Sequence, residues 1–179
     1  MPSLLLFPGD PRWVPGERGA FMASLAELGL IAADDRSHDT GAYLPGPEYL
    51  ALVMFLGCSP RISLDPLHDD DGQPTGLLRC HIYSEVRFVA PATLPKARCP
   101  NCRAAASPLD VTAYDRPFLC TKCGWKSTVS DLDWRQAAGF GRCFLDIGGI
   151  HPHEAVPSDR LLESLRDRSM CDWRYCYTA

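Results

Sequence analysis

Two pairs of cysteines are the residues of this sequence best suited to chemistry. Two residues separate Cys99 from Cys102 and Cys120 from Cys123, and 17 residues lie between the pairs. A two-residue spacing lets one tight turn direct two sulfurs at a single ion, and a second such turn completes the tetrahedral thiolate set that zinc prefers. We therefore predict one structural zinc ion, bound by these four cysteines.

Other chemistry for the paired cysteines stays open at this point. Iron in place of zinc, a redox-active Cys-x-x-Cys site and two unrelated reduced pairs are the alternatives. Four thiolates leave zinc no open position at which to activate water, so its role is expected to be structural. A segment this small buries little apolar surface, and its folding should therefore depend on the metal.

The residues around the pairs resemble the zinc-ribbon superfamily, whose members hold zinc between two cysteine knuckles at the end of a small β-sheet. The match extends over about residues 98–129. Pro100 and Gly124 fit the knuckles of that family, the glycine permitting the turn, whereas Arg103 stands where a glycine commonly follows the second cysteine. Three short runs rich in strand-forming residues predict the small sheet: 111–114, 118–119 and 125–129.

The predicted ribbon is basic although the chain as a whole is acidic. The formal net charge is -4, and the stretch from Lys96 to Lys126 carries four more positive than negative charges. Cations neutralise phosphate and an indole can stack on a base, so Arg103, Lys122, Trp125 and Lys126 are candidate partner-binding residues. Because ribbons also contact proteins, we expect another protein as the partner, with nucleic acid as the alternative.

A second group of metal-compatible side chains lies near the end of a predicted strand. Asp146 precedes His151 and His153, which flank a proline and are followed by Glu154. An enzyme site here is a further alternative, although no third ligand is set by spacing and an exposed loop is favoured. The sequence lacks the esterase nucleophile motif and the phosphate-binding glycine loop, which leaves enzymatic activity uncertain and disfavoured.

Cysteine usage and the absence of sorting signals favour the cytoplasm. The nine cysteines are an odd number, no export signal is recognisable, and no apolar run is long enough to cross a membrane. The five unpaired cysteines share no ligand spacing and are expected to be small apolar groups in the core: Cys58, Cys80, Cys143, Cys171 and Cys176. Asp69–Asp71 predicts a solvated turn and not a calcium loop.

The remaining pattern predicts the elements that position these sites. Strands are expected at 3–7, 77–89, 142–150 and 171–177, and helices at 17–31, 131–138 and after Ser158. The apolar run 49–56 fits a buried strand or helix, and Pro47 favours a helix start. We predict an α+β fold in which helices pack on a mixed sheet. The main domain is expected to comprise 1–95 and 131–179, with an inserted zinc ribbon at 96–130.

Overall fold

The computed structural model describes residues 2–33, 41–57, 77–106 and 113–178. In chain order, its elements are strand β1 (Ser3–Pro8), helix α1 (Arg18–Glu27), strand β2 (Ala42–Tyr43), helix α2 (Tyr49–Leu52), strands β3 (Val53–Phe55), β4 (Leu78–Val89), β5 (Pro117–Leu119), β6 (Lys126–Thr128), β7 (Gly139–Gly148) and β8 (Ala155–Pro157), helix α3 (Asp159–Ser169) and strand β9 (Trp173–Thr178).

The main sheet has five strands in the order β2-β4-β7-β1-β9, and neighbouring strands run antiparallel. Strands two positions apart are therefore parallel, and two of these pairs are joined by connections that contain a helix. The connection from β1 to β4 includes α1, and the connection from β7 to β9 includes α3. This is the split βαβ arrangement, so the predicted α+β class is confirmed.

Alternation along the strands gives the sheet a strongly apolar face that the helices cover. Phe21 and Leu25 of α1 and Leu161 and Leu165 of α3 pack onto this face. The strand side chains beneath them are Leu4, Leu6, Leu78, Cys80, Cys143, Leu145, Ile147, Trp173 and Tyr177. These strand and helix side chains form one contiguous buried cluster, which is the main core of the protein.

Local sequence signals explain where the helices begin and end. The Ser158 hydroxyl accepts a hydrogen bond from the Leu161 amide at 3.2 Å, as predicted for a helix cap. Helix α1 is shorter than predicted because the chain turns at Gly29, whose φ is 81°. The 49–56 run forms both predicted alternatives in succession, α2 and then β3.

The pairing of β4 with β7 is irregular in the middle of the strand. Its pairing with β7 changes register between Ile82 and Arg87, so residues 83–86 lie opposite Arg142 alone. The Arg142 guanidinium donates to the Tyr83 carbonyl at 3.0 Å within this irregularity. Such an insertion bends a strand and increases its twist, and it lies just before the paired tips of β4 and β7, residues 87–89 and 139–141.

The segment between these tips contains both cysteine pairs. A second apolar cluster holds it to the strand tips, with the Phe88 and Phe140 rings 4.5 Å apart. The buried residues of this cluster are Ala97, Ala106, Val129, Leu132, Trp134, Ala138 and Phe140. The division of the chain at residues 96 and 130 stays a prediction.

The helix predicted at 131–138 is wrong. Asp131 is the last residue of a single 3-10 turn, Val129–Asp131, and its carboxylate accepts from Thr128 instead of capping a following helix. Arg135 and Gln136 then adopt left-handed φ values of 53° and 57°, which end any right-handed helical run.

Several predictions lie outside the described residues: the turn at Asp69–Asp71, the burial of Cys58 and the first half of the 111–114 strand. The described half of that strand, residues 113 and 114, is not in a strand. Of the two later strands predicted for the ribbon, both form, as β5 and β6. Among the described residues, no helix has the length and apolar character needed to cross a bilayer.

Candidate metal centre

The first cysteine knuckle is a tight turn closed by backbone hydrogen bonds. The Arg103 amide donates to the Cys99 carbonyl at 2.8 Å, and the Cys99 amide donates to the Ala104 carbonyl at 2.9 Å. Arg103 has a φ of 59°, in the left-handed region that favours glycine. The unexpected arginine therefore adopts the conformation that a glycine would provide, and the knuckle keeps its shape.

The second knuckle repeats this geometry with glycine at the turn. The Gly124 amide donates to the Cys120 carbonyl at 2.9 Å, and the Cys120 amide donates to the Trp125 carbonyl at 2.8 Å. Gly124 has a φ of 74°. The same spacing in sequence thus produces the same local backbone twice.

The two knuckles bring all four predicted cysteines together. Their Sγ atoms lie within 4.8 Å of one another, with 3.7 Å between Cys99 and Cys123 and 3.6 Å between Cys102 and Cys120. A tetrahedral ion with metal–sulfur bonds of about 2.3 Å places its sulfurs about 3.8 Å apart. The donor set therefore fits a single tetrahedral ion. Within the described ranges, no other group of three or more His, Cys, Asp or Glu side chains is placed to hold a metal.

The Cys123 thiol of the cluster has a lowered pKa, which favours its thiolate form. The side-chain amide of Asn101 donates to Cys123 Sγ at 3.5 Å, and this bond, supported by the Trp125 backbone amide, lowers the Cys123 pKa to about 6. Metals bind the thiolate form, so this lowering favours coordination near neutral pH. Asn101 is a functional candidate that sequence reasoning missed, although it lies inside the first Cys-x-x-Cys pair.

Cys102 shows the electrostatic cost of gathering four thiols in one place. The backbone amide of Ala104 lowers its pKa, but desolvation and the neighbouring thiols outweigh this and raise it to about 11. Removing protons from all four thiols would place negative charges side by side, which is unfavourable without a positive ion. The cluster thus favours a bound cation electrostatically.

Two arginines from the main sheet and its loops hold the cysteine segment in place. Arg12 donates to the Tyr114 hydroxyl at 2.8 Å and contacts the Asp115 carboxylate at 3.3 Å. Arg174 of β9 donates to the Ser130 carbonyl at 3.0 Å and lies 3.4 Å from Asp131. More than forty residues separate each arginine from its partners, so no local sequence signal could have identified these contacts.

The predicted partner-binding residues divide into two classes. Arg103, Lys122 and Lys126 are exposed, whereas Trp125 is half-buried. The Trp125 ring packs against the Phe118 ring with centroids 6.3 Å apart, beside the second apolar cluster. The three cations are therefore available to a partner, and the indole has a structural contact.

In the part of the chain that the structure describes, the predicted histidine group forms no metal-binding cluster. Asp146 Oδ2 lies 3.2 Å from Nε2 of His81, which was not singled out from the sequence. The His151 amide donates to the Glu154 carboxylate at 2.9 Å within a turn. The exposed His153 ring packs against the Tyr177 ring, with centroids 5.2 Å apart.

The other described cysteines mostly belong to the apolar interior, as expected. Cys80, Cys143 and Cys176 are buried and Cys171 is half-buried. Burial raises the pKa of Cys176 to about 12, so its thiol stays protonated at neutral pH. A thiol kept protonated in this way is an inert packing group.

Comparisons with protein-family models, curated proteins and solved structures found nothing that matches this chain. Function therefore has to be inferred from the chemistry of the side chains and surfaces. The four-cysteine centre is the group whose chemistry is most specific.

Proposed function

We propose that this protein binds one structural zinc ion in a zinc ribbon, and that the ribbon contributes to a surface that binds another protein. The observation that carries the zinc proposal is the set of four Sγ atoms within 4.8 Å of one another. Four thiolates in a tetrahedral arrangement suit zinc and leave no position for substrate. The ion would link the two knuckles, while Asn101 stabilises the Cys123 thiolate.

Exposed groups on the ribbon support a protein as the partner. Leu119 is 55% exposed at the end of β5, opposite Lys126 of β6 in the hairpin. An exposed apolar side chain bordered by cations suits a protein surface of mixed polarity. Trp125 packs against Phe118, which leaves less of the indole for stacking on a base.

Metal analysis tests the zinc part of the proposal. Protein purified under reducing conditions is expected to contain one equivalent of zinc per chain by elemental analysis. Acidification in the presence of a chelator should remove the metal, because protons compete with it for the thiolates. Fresh reduced protein without any metal would contradict the proposal, and one equivalent of iron would change the identity of the ion.

Charge reversal tests the part played by the ribbon in partner binding. We expect proteins that co-purify with the wild type to be lost with Lys122→Glu/Lys126→Glu. They should be retained with the control Arg18→Glu/Arg87→Glu, in which two exposed cations outside the ribbon are reversed. Equal recovery with both double variants, measured by quantitative mass spectrometry, would argue against a ribbon-dependent partner.

The nucleic-acid alternative makes a different prediction about salt. Phosphate contacts release counterions, so binding through Lys122 and Lys126 would weaken steeply as salt rises. We expect no submicromolar binding of DNA or RNA near physiological salt, because the chain as a whole is acidic. Tight, salt-sensitive binding in fluorescence anisotropy, abolished by replacing both lysines with alanine, would favour nucleic acid over protein.

A further inference from the structure

Strand β9 forms one edge of the five-stranded sheet, and the direction of its backbone groups follows from the pairing. The Gly9 amide donates to the Asp172 carbonyl, which continues the register in which Pro8 faces Trp173. In an antiparallel ladder, alternate residues direct both backbone groups at the neighbouring strand. The even-numbered residues of β9 therefore bond to β1, and the odd-numbered residues point away from the sheet.

One outward residue of this edge is already paired within the chain. The Tyr177 amide donates to the Gln136 carbonyl at 2.9 Å, and the left-handed turn at Arg135 and Gln136 brings that carbonyl to the sheet. Across the described ranges, no backbone group is hydrogen-bonded to the outward N–H and C=O of Tyr175. Within the described part of the chain, Tyr175 therefore presents a backbone donor and acceptor without a backbone partner, beside a filled position.

A cavity of about 450 Å³ lies beside this stretch of β9. Trp134, Leu162 and Trp173 contribute apolar walls, while Tyr175 and Gln136 lie at the edge strand and the opposing turn. Pro100, inside the first Cys-x-x-Cys pair, also lines the cavity. Backbone hydrogen-bonding groups beside apolar walls suit an extended peptide, whose main chain needs bonds and whose side chains need pockets.

A smaller cavity of about 230 Å³ shares Leu162 and Trp173 with the first and extends the groove along α3. Five carboxylates and two guanidiniums line the two cavities together. The acidic residues are Asp131, Asp133, Asp159, Glu163 and Asp172, and the basic residues are Arg166 and Arg174. The excess of negative charge favours a positively charged occupant.

We propose that the β9 edge binds an extended, basic segment of a partner protein as an additional strand. Its backbone would pair with the outward groups of Tyr175. Apolar side chains would enter the aromatic cavity, and lysine or arginine side chains would face the carboxylates. The inference rests on the proposal that this protein binds another protein, and it assigns that binding to a specific edge and a specific chemistry.

Defined peptides test this on the wild-type protein. The probes are end-blocked hexapeptides that alternate Lys or Arg with Val, Ile, Leu or Phe, titrated while the fluorescence of the cavity tryptophans is followed. We expect the best of them to bind with a Kd of about 100 μM or tighter. Matched peptides with Glu in place of the basic residues should bind at least about tenfold more weakly because of the acidic groove. A set in which no basic peptide binds below about 1 mM, or in which acidic peptides bind equally, would overturn the proposal.

Removal of backbone donors tests the strand geometry directly. N-methylation of alternate peptide amides should abolish binding in one of the two phases and leave it in the other, since only one phase faces β9. On the protein, Tyr175→Pro removes the outward N–H without breaking the β1 ladder, and binding should be lost. Tyr175→Ala is the matched control and should keep binding. It also loses the hydroxyl that accepts from Gln136, but it keeps the backbone N–H.

The outcomes separate this inference from the proposed function. If Tyr175→Pro does not fold, as judged by circular dichroism, the N-methylated peptides on the wild type decide. Binding that tolerates methylation in both phases would exclude strand addition. Zinc content depends on the four cysteines, and ribbon-dependent co-purification is tested by changing Lys122 and Lys126, so neither measurement involves Tyr175. Failure of the peptides would therefore leave the proposed function standing, and failure of those two measurements would leave the peptide result interpretable.

Discussion

The main sheet and the cysteine segment reach order by different means. Leu4, Leu6 and Leu161 are fully buried in the main core, where two helices cover one face of five strands. The cysteine segment has two strands of three residues each, and its apolar cluster depends on side chains from the tips of β4 and β7. The sheet is therefore stabilised mainly by apolar burial, and the segment by its proposed metal and its anchoring contacts.

The largest expected effect is loss of metal from the cysteine segment alone. Cys120→Ser should reduce bound zinc from one equivalent to none, because a hydroxyl is a poor substitute for a thiolate. Amide exchange should then accelerate in 98–106 and 113–129, while the amides of Leu4 and Leu6 keep their protection. Elemental analysis and hydrogen-exchange mass spectrometry measure the two effects.

A cysteine outside the cluster is the control for that variant. Cys171→Ser should retain the metal, since this half-buried thiol lies outside the four-cysteine cluster. Equal acceleration of exchange across the sheet and the segment in Cys120→Ser would remove the distinction between the two regions.

The reverse experiment weakens the sheet and spares the metal. Leu161 of α3 is fully buried against the sheet, so Leu161→Ala should lower the free energy of unfolding by about 2–5 kcal/mol. The folded variant should still carry one equivalent of metal. Urea denaturation followed by circular dichroism measures the change, and Leu119→Ala, at an exposed position, should shift it by less than about 0.5 kcal/mol.

A smaller effect is expected where the two regions meet. Gly139 begins β7, and a Cβ at this position would overlap the buried Phe7 ring. Gly139→Ala should therefore destabilise the fold by about 1–3 kcal/mol through overpacking. Gly57→Ala is the control, because no atom of a described residue beyond its chain neighbours lies within 4 Å of the added Cβ.

The double variant Gly139→Ala/Phe7→Leu checks the cause of that loss. Relief of the overlap should make its destabilisation smaller than the sum of the two single changes. Strict additivity in thermal or urea denaturation would show that the contact with Phe7 is not responsible.

The smallest expected effect compares the two knuckles. Among the residues that the structure describes, a Cβ on Gly124 meets no atom within 4 Å beyond its chain neighbours. Gly124→Ala should therefore cost only the left-handed backbone penalty, about 1–2 kcal/mol. Arg103→Gly should relieve the same penalty at the first knuckle. The flexibility of glycine offsets most of this gain, which leaves a change below about 1 kcal/mol. Competition for zinc with a chelator of known affinity measures the change in metal affinity of each variant. If Arg103→Gly lost as much affinity as Gly124→Ala, the two knuckles would not share the same left-handed turn.

Local patterns predicted those features that depend on neighbours in sequence. The strands at 3–7 and 77–89 follow from apolar runs and alternation, and Ser158 caps its helix because the bond closes within three residues. The helix at 131–138 failed although Asp131 is a good capping residue, because its carboxylate bonds backward to Thr128. A preference for capping does not determine which amide is bonded when both directions are available.

The amino-acid sequence by itself determined the four-cysteine centre, since a two-residue spacing shapes each knuckle locally and the arginine at 103 can adopt the turn that glycine favours. Only the tertiary structure decided that Asp146 pairs with His81 and that Trp125 packs against Phe118. It also decided that β9 lies at an edge beside an acidic groove, because strand order and cavity walls depend on contacts between residues far apart in the chain.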